Sequence, residues 1–186
     1  MLTDIVPHIT WHDVENWFTY NPKEPLLFNT GLFLGLFIVF YAVYILTRKT
    51  FHLRLVYVIC FSLFFYYKSS GIFFLLLLLS SVVDYTLSYF LYREQRTLAR
   101  KIFLWFSVIV NLTFLGYFKY TNFLIGNYND LFGGKFSFYD VVLPVGISFY
   151  TFQSISYIIE IYRKEITPAK NYVDYLFFVS FFPQLV

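Results

Sequence analysis

The chain has 186 residues, of which 59% are hydrophobic, 25% aromatic and 13% charged, and its mean hydropathy is +0.62. Too little polar surface remains to cover a soluble globule, so a bilayer must replace water around much of the molecule. The formal charge of +3 is spread between apolar runs and points to no nucleic-acid partner, and the single cysteine excludes an internal disulfide or a cysteine-only metal site.

Uncharged runs at 25–47, 69–83, 102–118 and 141–159 each approach the ~20 apolar residues that carry a helix across the hydrocarbon. A run such as IFFLLLLLSSVV shows no alternation of polarity, which argues against a β-barrel. The fold class expected is therefore all-α, a polytopic transmembrane helical bundle with about five complete spans plus the start of a sixth.

In chain order, residues 1–25 carry four acidic residues, three prolines, Trp11 and Trp17, and read as an extracytoplasmic or interfacial N-terminal segment or as a plain tail. The first span is expected from Leu26 to Leu46, followed by a basic loop with Arg48, Lys49, His52 and Arg54. A short second span, Leu55 to Tyr67, requires snorkelling of Arg54 and Lys68 or a locally thinned bilayer. Cys60 within it reads as a buried, inert thiol. The third span, Ile72 to Tyr92, leads into a basic loop at 93–101, and the fourth runs from Ile102 to about Ile125. Residues 127–140, with Gly133 and Gly134, read as a loop. A fifth helix is expected to open at Pro144 and reach Arg163, and a sixth apolar run starts near Tyr172 and meets Pro183. Loop charge places the 47–54 and 93–101 loops in the cytoplasm and the N-terminus outside.

Few residues offer chemistry. Asp84 lies nine residues from Arg93, well inside the hydrocarbon, and is read as a structural intramembrane polar residue with a functional role as the alternative. Asn111 lies ten residues from Lys101, so at about 1.5 Å per residue the two side chains reach similar depths and are expected to bond if the third and fourth spans pack together. Gly146, Tyr150, Gln153, Tyr157, Glu160 and Lys164 alternate steps of four and three. They form one stripe that faces protein or a water-filled chamber. The histidines, His8, His12 and His52, all fall outside the expected spans. Glycine-rich phosphate loop, CxxC, HExxH and GxSxG patterns are absent from the sequence.

The segment LPVGISFYTFQSISYIIEIYRKE, with FFVSFFPQLV after it and PLLFNTGLFLGLF, LLLSSVVDYTLSYFL and NLTFLGYFKYTNF before it in order, resembles the membrane-bound O-acyltransferase family. The likeness is to the bacterial branch typified by alginate O-acetylases. Glu160 stands where that family's ending carries Asp, and the family's FFPQL motif is followed by a second half that holds the catalytic histidine. The resemblance thus implies residues 26–186 as the N-terminal part of an acyltransferase domain, truncated, with no catalytic residue assigned and no activity of its own.

It further implies transfer of an acyl group, in the first instance acetyl, to hydroxyls of an exported polysaccharide or similar glycan. Acetyl-CoA or an acyl carrier would be the donor, no cofactor would be bound, and extracytoplasmic acetylation proteins would be partners in a bacterial cytoplasmic membrane. Tyr150, Gln153, Tyr157 and Glu160 are its substrate-chamber candidates. A non-enzymatic transport or assembly-scaffold subunit is the competing expectation.

Overall fold

A computed structural model describes residues 19–21, 26, 28–139 and 143–185; the N-terminal segment, with His8 and His12, lies almost wholly outside them. The described residues form helices and connecting segments without strands. Helix α1 spans Gly31–Leu46, beginning where the Thr30 hydroxyl accepts the Phe33 amide at 3.2 Å, and not at Leu26. Leu26 is instead buried against α2, Phe51–Ser70, with its N–H on the Lys68 carbonyl at 3.2 Å and its carbonyl taking the Ser69 hydroxyl at 2.8 Å.

At 20 residues α2 rises ~30 Å, so the short, bilayer-thinning span expected here is corrected. Arg54 does not end the helix because its guanidinium lies over the Tyr44 and Phe51 rings, which lets the charge sit in the first turn. Cys60 is exposed, on the side of α2 away from Val58, Ile59 and Ser62, and is not the buried thiol expected.

Gly71 stops α2 with φ +61, where an added Cβ would overlap the Tyr20 ring at 2.7 Å, so the turn requires glycine. After a 3-10 turn at Gly71–Phe73 the chain runs back as α3, Phe74–Arg93. The connection to α4, Thr97–Leu115, is three residues long rather than the nine expected, with Arg100 and Lys101 inside the first turns of the helix. In that connection the Arg96 amide, 2.9 Å from Glu94 Oε1, holds the Glu94 carboxyl below its usual range.

Helix α4 passes through a π-helical turn, Gly116–Tyr120, into α5, Thr121–Phe132. The expected loop at 127–140 therefore begins only at Gly133, whose φ of +66 ends the helix. Asn129, inside the expected loop, is helical and bonds the returning chain at the Phe136 carbonyl instead. Helix α6 is Ile147–Arg163; Pro144 does not open it but accepts the Ile147 amide in a turn that needs Gly146 at φ +74, because a Cβ there would strike the Leu185 carbonyl. Helices α7, Tyr172–Ser180, and α8, Phe182–Leu185, complete the described fold.

Among the described residues, three stretches are long and apolar enough to cross a membrane: Gly31–Lys49, Phe51–Arg93 and Thr97–Phe132. The second turns back at Gly71 and so contributes two helices. The centre is the packing of α3, α4 and α6, with α7 set against α2 and α3, and α8 against α2 and α6. Packing follows the hydrophobic and ring contacts: Leu77, Leu91, Leu115, Ile158 and Ile161 fill the centre, while Phe40, Phe65 and Phe182 join α1, α2 and α8. Ser70 meets Val145, Asp84 meets Ser107, and Arg100 meets Ile161, which fixes α2 antiparallel to α3, and α4 antiparallel to both α3 and α6. One end of the bundle thereby collects Arg54, Arg93, Arg96, Arg100, Lys101, Arg163 and Lys164.

Arg100 closes this basic end. It is 7% exposed and its guanidinium donates to the Leu91 carbonyl at 3.0 Å and the Tyr162 carbonyl at 2.6 Å, capping the C-terminal turns of α3 and α6 at once. Those carbonyls have no helical partner, and a cation there also meets the negative ends of two helices. Arg100→Ala should lower stability by about 2–4 kcal/mol, read as an earlier thermal unfolding of the detergent-solubilised chain, whereas exposed Arg96→Ala should stay within about 0.5 kcal/mol.

Candidate functional site

Helix α6 meets α7 along a groove of about 600 Å³. The i, i+3, i+4 pattern of α6 brings Gln153, Tyr157 and Glu160 to its wall, together with Phe149, Phe152 and Ser156. The opposite wall is supplied by Asp174, Tyr175 and Phe178 of α7, with Gln184 of α8 at one end. Gln153 Nε2 donates to the Phe178 carbonyl at 2.9 Å, so this amide ties the two walls together. The Tyr157 hydroxyl accepts the Ala169 amide at 2.9 Å and thereby fastens the α6–α7 connection over the groove. Glu160 is exposed at its mouth.

Tyr150, expected with these three, does not line the groove. It is 1% exposed and faces Tyr66 of α2, because the stripe's upper part turns into the α2–α6 contact. Gly146 is likewise consumed by the close approach of Leu185. Residues of the 172–185 run that the sequence reading did not single out form half of the groove. Their one signal was the FFPQL motif in which Gln184 sits.

A second cavity of about 360 Å³ opens at the basic end and is lined by Tyr92, Gln95, Arg100, Lys164 and Glu165. Ile166 and Thr167 line both cavities, so the two adjoin. Lys164 stands there at φ +63, a left-handed conformation that L-residues adopt at a cost of about 1–2 kcal/mol. It closes α6 by donating its amide to the Ile161 carbonyl at 3.0 Å.

Deeper in the bundle, Asp84 is fully buried, with Oδ1 accepting from Asn111 Nδ2 and from the Ser107 hydroxyl, both at 2.7 Å. Asn111 also donates to the Ser107 carbonyl at 3.1 Å. Ser107 was legible as the residue one helical turn before Asn111 on the same face. Beside this cluster the Ser154 and Tyr175 hydroxyls lie 3.1 Å apart, joining α6 to α7. The cluster does not line the groove, which leaves Asp84 and Asn111 as cross-links between α3 and α4.

Of the groups that could act as a base, His52 is exposed at the start of α2 and does not line the groove. Ser148 accepts from Lys119 Nζ at 3.2 Å. Among the described residues, no cluster of His, Cys, Asp and Glu is arranged to hold a metal ion.

Comparison with known proteins finds similar sequences. The protein named "Probable alginate O-acetylase AlgI" of Pseudomonas aeruginosa is 45% identical over 95 residues, which is 49% of this chain and 18% of that protein. Its namesake in Azotobacter vinelandii is 44% identical over 95 residues, 49% of this chain and 19% of that protein. The "Peptidoglycan O-acetyltransferase" of Helicobacter pylori is 31% identical over 189 aligned residues, covering 87% of this chain and 36% of that protein. The chain thus matches well under half the length of these curated relatives. No family model and no solved structure matches.

The Asp84–Asn111 contact should behave as a coupled pair. In a double-mutant cycle of Asp84→Ala and Asn111→Ala, read by thermal unfolding in detergent, the coupling should be about 0.6–1.7 kcal/mol. Additivity of the two substitutions would show that the bond contributes nothing.

Proposed function

Since the chain belongs to the membrane-bound O-acyltransferase family, in its bacterial alginate O-acetylase-like branch, we propose that it forms the donor-side part of an enzyme that acetylates hydroxyls of an exported polysaccharide. The observation that carries this reading is the placement of 144–163, the segment with the strongest resemblance to the family. It forms one wall of the α6–α7 groove, with the Gln153 amide, the Tyr157 phenol, the Glu160 carboxylate and the Ser156 hydroxyl set among Phe149 and Phe152.

Acyl transfer needs a base within reach of the acceptor hydroxyl and a dry, shaped channel for the acyl group. The groove supplies the shape of a channel: Phe149, Phe152, Tyr175 and Phe178 give it an apolar lining, and Gln153 and Tyr157 tie its walls together. No described residue suits the base. We assign that role to a histidine in the remaining length that the relatives have, and expect this chain alone to be inactive.

The adjoining cavity, with Lys164 on its wall, suits the phosphates of a donor such as acetyl-CoA, or an acyl carrier, arriving from the basic end. Under the positive-inside rule that end is cytoplasmic, which puts the N-terminus outside a bacterial cytoplasmic membrane. The acceptor glycan, delivered with extracytoplasmic acetylation proteins, would then meet the groove from the other side.

In membranes carrying the chain together with the remaining length of its relatives, Gln153→Leu and Glu160→Gln should each reduce acetate transfer to a polysaccharide acceptor about tenfold or more, or ~1.4 kcal/mol. Leu79→Ala, on the outer face of α3, should leave it unchanged. Full activity in both groove variants would contradict the groove as the reaction channel, turnover by the 186-residue chain alone would contradict placing the base in the remaining length, and no transfer by the joined protein would favour a transport or scaffold role.

A further inference from the structure

The part of the fold that the proposed reaction does not use is the extension beyond the bundle, α5 and residues 133–139. Helix α4 alone, with 19 residues, rises about 28 Å, close to the full thickness of the hydrocarbon. Its far end is marked by contacts with the turn of the bundle: Phe118 packs on Phe73, and Lys119 bonds Ser148 in the first turn of α6. The next 12 residues of α5 add about 18 Å past that level. Keeping the whole rod in hydrocarbon would demand a tilt well beyond the ~20° usual for spanning helices.

Yet the apolar surface does not stop where the bilayer core does. On α4, Leu98, Ile102, Trp105, Ile109 and Leu112 are exposed at steps of four and three, the stripe of a lipid-facing helix. Beyond it, Tyr117, Tyr120, Leu124, Tyr128 and Leu131 are exposed at the same kind of step. The one irregular step, five residues from Leu112 to Tyr117, falls on the π-helical turn Gly116–Tyr120. A π turn takes up one extra residue, so it keeps the two halves of the stripe in line. The lipid-facing surface of α4 therefore continues onto α5, while its chemistry changes from aliphatic and indole to mainly tyrosine, the ring that favours the headgroup layer.

The other face of α5 is already satisfied. Asn122 donates to the Tyr139 carbonyl at 2.8 Å and accepts its amide at 2.9 Å, and Asn129 treats Phe136 the same way at 2.8 and 3.0 Å. These side chains act as a substitute strand for the returning segment, and Phe138 closes over Gly126. The backbone groups of Phe136 and Tyr139 are thereby bonded internally, which lowers their cost of leaving water. In water, by contrast, Leu131 and Phe132 would stand 78% and 73% exposed.

We propose that α5 and residues 133–139 form an anchor that reaches from the hydrocarbon boundary into the headgroup layer, on the side of the bilayer opposite the basic end. The occupant of the exposed stripe is lipid, at the boundary of headgroups and acyl chains.

The test uses the whole chain in phosphatidylcholine vesicles, in a Cys60→Ala background, with an environment-sensitive fluorophore on Leu131→Cys or, for comparison, Ile109→Cys. Lipids spin-labelled near the headgroup or deep in the acyl chain serve as quenchers. Leu131→Cys should lose most fluorescence to the shallow label and Ile109→Cys to the deep one. Three outcomes would overturn the proposal: quenching at position 131 by aqueous iodide alone, which means water; quenching by no reagent, which means a protein partner or a second copy; or stronger quenching by the deep label, which means a spanning helix.

Discussion

Hydrocarbon offers no hydrogen-bond partner, so every polar group carried into it must find one inside the protein. That constraint decides how α3, α4 and α6 meet. Asp84 on α3 is fully buried, and its Oδ1 is matched by two donors from one turn of α4, while Oδ2 has no hydrogen-bond partner among the described residues. Small side chains around it, Ser88, Ser107 and Ser154, let the three helices approach closely while supplying hydroxyls. At the basic end Arg100 performs the same service for free carbonyls of α3 and α6. The groove on the outer side of α6 inherits its position from these contacts, since they fix the rotation of that helix about its axis.

The helices were legible to the extent that apolar runs and loop charge mark them. The all-helical class, the approximate place of α1, α3, α4 and α6 and a basic end follow from composition and spacing alone. Boundaries were less legible where charge was taken as a stop signal. Arg54, Arg100 and Lys101 all sit inside helices: ring stacking satisfies Arg54, backbone carbonyls satisfy Arg100, and Lys101 is exposed. Asn129 misled in the same way: asparagine favours turns when its amide bonds local backbone, but here it bonds a segment seven residues away.

For the candidate site, the helical period located Gln153, Tyr157 and Glu160 on one wall but gave no view of the other. A period reports which residues share a face and says nothing of which neighbour covers it. Tyr150 shares the face and meets α2, whereas Gln153 one turn later meets α7. Depth arithmetic brought Asp84 and Asn111 to one level because both are measured from the same basic end. It could not supply Ser154 and Tyr175, which approach from helices whose order around the bundle the sequence does not encode locally.

The reading of the groove as an acyl-transfer channel rests on its place beside the cationic cavity, with Ile166 and Thr167 shared between them. Ser156, exposed on the groove wall, is the position from which this is most directly tested. With Ser156→Cys in a Cys60→Ala background, and the chain joined to the remaining length of its relatives, the rate of maleimide labelling should fall when acetyl-CoA is present. Free CoA-lacking acetate should leave it unaltered. A labelling rate indifferent to acetyl-CoA would contradict the groove as the path of the acyl group.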